Sequence, residues 1–424
     1  MFSVFNLTPP TEEVLRKIYG SIIENFYEDG GYTDAAKSAA GKVTGLTLSL
    51  YNSLVEKLPP TPAKFHYIFN LRDLGRIYEG LTTVTPDTVT TEADVARLWR
   101  NECCRIFADR LVSDEDHAVV ATELEGLIRR GFGEASDHAL KVPLLYGDFS
   151  QALGRLSEEK EDLRLYRDLG NFDSVRSTLD SVLQLYNEEV KTMSLVLFQQ
   201  ALEHLTRILR VLRMRRGNAL LVGVGGSGKQ SLTRLATYTA GYELFTITMS
   251  RNYGEKDFRD DLKELYKLLA VKPVVFLFTD ADVAEEGFLE LVNNMLSTGM
   301  VPALYDKDEK DVMVNQVRSE VKSAGIEDTA DNCWAYFVSK CRNNLHVVLA
   351  MSPSGDTLRR RCRNFPGLVS SCVIDWFFPW PADALEKVAS HFLRAESLPE
   401  EHRTSVIEHM VHVHESVVTA SKRF

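Results

Sequence analysis

At 424 residues the chain is too long for one ordinary domain, and two or three are expected. Hydrophobic residues make up 44% and charged residues 26%, the balance of a protein that buries real cores, and the net charge of −11 argues against a nucleic-acid footprint spread over the surface. No stretch is apolar for about 18 residues, so no membrane span is expected. The N-terminus also lacks the basic region and long apolar run of a signal peptide. The six cysteines (Cys103, Cys104, Cys333, Cys341, Cys362, Cys372) form no CxxC pair, which predicts neither a disulfide framework nor a zinc site and fits a reducing compartment.

The chain opens on Phe2, Val4, Phe5 and Leu7 before Pro9-Pro10, which reads as a buried strand entering a turn. It closes on a helical pattern at Ala420–Phe424, and both ends read as cuts through folded modules of a larger protein. Residues 11–57 read as helices with Leu15, Ile18, Ile22 and Phe26 along the inward stripe. Pro59, Pro60 and Pro62 then break the pattern. A helix is predicted from Ala93 to about Leu111, burying Val95, Leu98, Trp99, Ile106 and Phe107, with Trp99 as a core anchor. Residues 135–175 are loop-rich and acidic and mark a module boundary.

From Val182 strand-like and helix-like runs alternate, the pattern of a parallel α/β sheet. Strands are predicted at Ala219–Val222, Leu244–Met249, Val274–Phe278, Leu345–Ala350 and Cys372–Ile374. The third is apolar throughout, as a strand buried on both faces should be. Helices follow at Leu232, Leu235 and Ala236, and at Phe258, Leu262, Leu265 and Leu269.

The decisive motif is Gly223-Val224-Gly225-Gly226-Ser227-Gly228-Lys229-Gln230-Ser231, directly after an apolar strand and at the start of a helix. Glycines let the main chain curl so that N–H groups point at phosphate oxygens, the helix terminus adds positive potential, and Lys229 reaches the β- and γ-phosphates. ATP or ADP is the expected ligand, with Mg²⁺ as its candidate counter-ion. The residue after the lysine should be Ser or Thr to hold Mg²⁺, and here it is Gln230. Its carboxamide oxygen can touch a metal with different geometry, while Ser231 points about 100° away around the helix.

Such a loop works with a carboxylate pair at the tip of a neighbouring strand, one acid holding the metal and the other polarising water. The third strand ends in Thr279-Asp280-Ala281-Asp282. Thr279 then occupies the metal acid's place and Asp280 the base's place, with Asp280 also the candidate metal contact, while Asp282 reads equally as loop or site. Nucleotide binding is better supported than efficient turnover.

At this point a family resemblance becomes specific. GVGGSGKQSLTRLA, VVFLFTDADVAEEGFLELVNNMLSTGMVPALY and HVVLAMSPSGDTLRRRCRNFPGLVSSCVIDWFFPWP resemble the fourth AAA+ module of an axonemal dynein heavy chain. PPTPAKFHYIFNLRDLGRIYEGL and LWRNECCRIFADRL resemble the small subdomain of the third module. The resemblance implies an AAA+ P-loop module with a parallel sheet flanked by helices, preceded by a mostly helical small subdomain. The expected boundaries are 1–58 for the end of the third module's large subdomain and start of its small one, 59–150 for that small subdomain, 151–400 for the fourth module's large subdomain, and 401–424 for the start of its small one.

By the same resemblance Arg72 matches a sensor II arginine acting on the third module's nucleotide. Ser352 stands at the sensor I place. Arg361 or Arg363 is the arginine finger reaching the neighbouring nucleotide, an ion whose planar charge suits phosphate. Val196, in MSLVLF, resembles the segment that packs on adenine. Implied partners are the neighbouring AAA+ modules of the same heavy chain, dynein intermediate and light chains, and microtubules through a stalk outside this chain, in the axoneme of a cilium or flagellum; neither nucleic acid nor membrane is implied. Two other readings stay open here: a different ring-forming AAA+ remodelling ATPase, and a structural module with a vestigial pocket. The basic run Arg207, Arg210, Arg213, Arg215 and Arg216 reads as favourable charge at a helix C-terminus. His409 and His412 share a helical face, with His414 nearby and no fourth ligand apparent.

Overall fold

The computed structural model describes residues 3–6, 8–149, 164–394 and 396–421. The first part is helical: α1 (Glu12–Asp29), α2 (Asp34–Lys57), α3 (Leu71–Leu81), α4 (Glu92–Cys103), α5 (Asp114–Phe132) and the short α6 (Ser136–Ala139). Side-chain oxygens start the five longer ones, with Thr11, Thr33, Asn70, Thr91 and Ser113 each accepting from a first-turn amide. Asn70–Asp73 and Thr91–Asp94 close full capping boxes.

Two expectations fail here. Val4 and Phe5 are 91% and 84% exposed and form no strand, while Phe2 and Leu7 lie outside the described residues. In α1 the inward stripe is Leu15, Ile23 and Tyr27, with Ile18 and Ile22 half exposed. The reason is aromatic: Tyr19 stacks on Tyr78 of α3, and Tyr27 packs on Tyr32, so the four-residue spacing through tyrosines wins over the isoleucines. Trp99 is buried as expected, its indole N–H donating to Thr47 Oγ1 of α2 at 2.8 Å. The predicted helix beyond it changes pitch: Cys104–Ala108 is a π-turn that keeps Ile106 and Phe107 inside.

A two-residue antiparallel ladder, β1 (Tyr146–Gly147) with β2 (Arg167–Asp168), leads out of the helical body. The α/β body follows: α7 (Phe172–Glu189), α8 (Gln199–Arg213), β3 (Ala219–Val222), α9 (Lys229–Ala240), β4 (Glu243–Phe245), α10 (Glu255–Leu269), β5 (Val274–Thr279), α11 (Glu286–Thr298), α12 (Lys307–Ser323), α13 (Ala330–Asn344), β6 (Leu345–Met351), α14 (Thr357–Asn364), α15 (Gly367–Ser370), β7 (Val373–Trp376), α16 (Ala382–Leu393) and α17 (Glu400–Ser421). The pairings within this five-stranded sheet are parallel, in the order β4-β5-β6-β3-β7. The acidic strand β5 is therefore not the immediate neighbour of β3; β6 lies between them. The second strand is shorter than predicted because β4 is an edge paired only to β5.

Alternation divides the sheet's two cores. Leu221, Val275, Leu277, Val348 and Val373 face α8, α9 and, continuously, the helical body. Leu220, Val222, Phe276, Phe278, Val347 and Leu349 face α10–α13. Both faces of β5 and β6 are buried, which explains their unbroken apolar runs.

An ionic seam joins the helical and α/β bodies. Glu102 of α4 is fully buried and accepts from Arg210 Nε at 2.9 Å. Arg207 of α8 bonds Asp375 of β7 at 2.9 Å and lies 3.4 Å from Asp109. Arg213 pairs with Asp148, and Arg76 of α3 donates to the carbonyls of Ser370 and Cys372. Trp376 N–H bonds Asp109 O, and the Trp376 ring stacks on His66. The basic run at the end of α8 is thus a set of cross-body partners, an outcome its spacing alone did not reveal.

Candidate functional site

The loop after β3 is built as its sequence demands. Gly223 N–H bonds Met351 O of β6, and Phe377 N–H bonds Val222 O, so neighbouring strands pin the exit of β3. A Cβ on Gly223 would meet Phe377 Cβ at 2.6 Å. Gly228 adopts φ of 90° as it opens α9, a conformation other residues rarely take. Val224, Gly225 and Gly226 are exposed, and among the described residues the amides of Gly226, Gly228 and Lys229 meet no protein acceptor. These bare N–H groups at a helix N-terminus form a nest for an anion. The Lys229 ammonium folds over the loop, donating to Gly223 O at 2.6 Å, Val224 O at 2.8 Å and Ser227 Oγ at 3.1 Å. Burial lowers its pKa and nearby Asp280 works against that shift.

Beside the loop lies a cavity of about 540 Å³. Gly226, Ser227, Gly228 and Ser231 form its polar end. Val196, Phe198, Phe377, Trp380 and Phe392 line the apolar part, with Phe198 edge-on to Trp380 at 5.1 Å. His204 of α8 backs it, stacked on Phe377 at 3.7 Å and bonded to Asp375 at 2.7 Å. Burial raises the Asp375 pKa, but His204 and Arg207 outweigh it and hold the carboxyl low. An aromatic slot beside bare amides suits a flat heterocycle carrying a polyanion. Phe377 and Trp380 come from the FFPWP run that leaves β7 at the same end of the sheet as the loop. That aromatic-proline cluster was the available signal for a role the sequence reading did not assign.

The acidic strand end is arranged differently from a metal site. Thr279 donates its amide and hydroxyl to Asp282 at 2.7 and 2.8 Å, so Asp282 is a cap on the turn. Asp280 accepts from the Ser352 amide at 2.5 Å and from Arg361 Nη1 at 2.7 Å. Ser352 and Asp280 are thus brought together across the ends of β5 and β6, with the Ser352 hydroxyl turned to Ser354. Gln230 is exposed on α9. Among the described residues no group of three His, Cys, Asp or Glu could hold a metal, and His409, His412 and His414 are exposed. The Asp280 oxygens, candidates for a metal contact, each accept from a protein donor. The six cysteines are free, and burial pushes the Cys362 and Cys372 thiols up to about 12.

The arginines separate. Arg361 faces its own strand end, while Arg359, Arg360 and Arg363 line a second cavity of about 1010 Å³ with Phe65, Asn70 and Arg110 of the helical body. Arg72 is exposed on α3 and lines a different hollow with Arg216 and Asn293, so it does not meet Arg363. It makes no pair with Asp73, whose partners are Arg76 and Arg110.

A family model described as the P-loop containing dynein motor region D4 matches residues 193–424. The chain belongs to this dynein motor family. An AAA+ lid domain model matches residues 43–141 of the dynein segment, the helical body. The whole segment is 53% identical to the dynein-1-alpha heavy chain of the flagellar inner arm I1 complex from Chlamydomonas reinhardtii and 48% identical to dynein axonemal heavy chain 10 from Homo sapiens. It is 41% identical to the dynein beta chain of the flagellar outer arm from Chlamydomonas reinhardtii. In each case it spans only 9% of the relative's length. The fold is accordingly that of an AAA+ P-loop module, a branch of the P-loop ATPases.

Proposed function

We propose that this dynein segment binds ATP or ADP beside Lys229 and works within a microtubule motor ring of an axoneme, with weak or regulatory hydrolysis at this site. The observation that carries the reading is the nest of unpartnered amides at the start of α9 opening onto an aromatic cavity. Triphosphate lies on Gly225–Lys229 and the base against Val196 and Trp380. The altered Gln230 and Thr279, and the engagement of Asp280 by Arg361, favour holding over turnover. Mg²⁺ arrives with the nucleotide.

In this reading residues 1–58 and 59–150 complete a third module, 151–400 form the large subdomain of a fourth, and 401–424 begin its small subdomain. The second cavity then faces the third module's nucleotide, with Arg363 as finger in company with Arg359 and Arg360, and Arg72 reporting on the same ligand only after a shift of α3. Partners are the adjoining modules of the same heavy chain, intermediate and light chains, and microtubules reached through a stalk. The relatives' inner-arm and axonemal names support cilium or flagellum as the place of work.

Titration with a fluorescent ATP analogue tests the reading. Lys229→Ala is expected to weaken binding by about tenfold or more, the equivalent of about 1.4 kcal/mol in a charged hydrogen bond to phosphate. Equal affinity for both proteins would remove the nucleotide assignment.

A further inference from the structure

Arg361 is 9% exposed, and its partners lie within its own α/β body. Its guanidinium donates through Nη1 to Asp280 Oδ1 at 2.7 Å and through Nε to Glu286 Oε1 at 3.2 Å. The other Asp280 oxygen is taken by the Ser352 amide. Each oxygen of the one carboxylate placed to polarise water is therefore held by a protein donor. The guanidinium fixes the direction of that carboxylate and turns it toward α14 rather than toward the loop.

We propose that Arg361 is an in-cis latch, a positioning residue that ties Asp280 to α14 and α11 and so keeps bound ATP unhydrolysed. This rests on the reading of the loop around Lys229 as a nucleotide site. The geometry of α14 gives the latch its reach. Arg361 lies on the inner face of the helix, while Arg359, Arg360 and Arg363 lie on the face that lines the second cavity. A displacement of α14 from that side withdraws the guanidinium from Asp280. Asp280 then takes a proton from the attacking water as the water oxygen bonds the γ-phosphorus, and the electron pair of the broken P–O bond leaves on the β-phosphate oxygen of ADP.

The test uses the full chain with Mg-ATP. Arg361→Met keeps the buried stem and removes the charge, and Arg361→Lys keeps one charged hydrogen bond; melting curves confirm that both fold. The expected result is a rise in turnover of about tenfold for Arg361→Met, a fraction of the roughly 10²–10⁴-fold that a positioned general base contributes. Affinity for the fluorescent ATP analogue should stay within about twofold, because the loop is untouched, so the change falls in kcat and not in KM. Arg361→Lys should recover most of the restraint, and Asp280→Asn added to Arg361→Met should abolish the gain. Turnover that is unchanged or lower in Arg361→Met with binding intact overturns the latch alone. A gain that survives Asp280→Asn overturns it as well, since the freed base would then not be Asp280. If the unmodified chain binds no analogue, the nucleotide reading and the latch fall together.

Discussion

Replacing Glu102 with Gln changes almost no volume and should still be among the most damaging substitutions in the chain. Glu102 is 0% exposed, at the centre of the seam between the helical and α/β bodies. Its carboxylate accepts from Arg210 Nε at 2.9 Å, from Tyr166 Oη at 2.9 Å and from Asn101 Nδ2 at 2.8 Å. Space for it exists only because residue 80 is glycine: a Cβ there would stand 1.7 Å from Glu102 Oε2. The amide of Gln has one acceptor oxygen for this ring of donors and turns two donors of its own into it. Arg210, 4% exposed, keeps its charge and loses its counter-ion. Stranding one member of a buried ion pair costs about 3–5 kcal/mol, whereas removing both members is often close to neutral. The expected signature is therefore non-additive. Glu102→Gln alone should cost about 3–5 kcal/mol, and Glu102→Gln with Arg210→Met should recover at least about 2 kcal/mol of it. Urea unfolding followed by tryptophan fluorescence suits the measurement, because Trp376 sits in the same seam against His66. A single-variant cost under about 1 kcal/mol, or a double variant that equals the sum of the singles, would refute the view that this pair holds the bodies together.

His66 supplies a pH prediction: burial lowers its pKa to about 4, so the folded state holds it neutral. Unfolded, it titrates near 6.5, so stability is complete above that value and declines as pH falls toward about 4. The loss approaches about 3 kcal/mol, at 1.36 kcal/mol per pKa unit, and chemical-denaturation curves of His66→Phe should show a shallower acid limb. The loop glycines should respond unequally. Gly223→Ala meets Phe377 Cβ at 2.6 Å between pinned strands and should cost about 1–3 kcal/mol in thermal or urea melting. Gly225→Ala meets nothing within 4 Å and should leave melting unchanged while weakening nucleotide affinity. Equal effects on melting would contradict the loop geometry.

What could be read from sequence was local. The strand, glycine loop, lysine and helix between Ala219 and Ala240 are contiguous, so short-range constraints decide them together. The doubly buried β5 and β6 were equally legible as apolar runs bounded by turns. What escaped needed a partner from elsewhere in the chain. The helix α1 offers two overlapping three-four stripes, and the choice between Ile18–Ile22 and Tyr19–Ile23–Tyr27 belongs to Tyr78 and Tyr32. Arg207, Arg210 and Arg213 look like helix-end charge until Asp375, Glu102 and Asp148 are brought to them by the fold. Likewise nothing in RRRCRNFP distinguishes Arg361 from its neighbours, because the distinction is the 2.7 Å contact to a carboxylate 81 residues earlier.

The placement of α14 has a thermodynamic consequence for how two cavities can influence each other. Its outer arginines face a cavity shared with the helical body, and its inner arginine holds the strand end beside Lys229. An eight-residue helix spans only about 12 Å and has no hinge of its own, so its two faces move together. If an anion in the outer cavity binds better with α14 displaced, it must loosen Arg361 from Asp280. By linkage, loosening that contact must tighten the outer site by the same factor. Anions that bind both placements of α14 equally well transmit nothing, however tightly they bind. The seam at Glu102 sharpens this: because the helical body is clamped to α8 and β7 through buried charge, strain from the outer cavity is not absorbed by the two bodies rolling apart. Leu358 and Cys362 seat the short helix in the α/β core, so any such strain works against that packing.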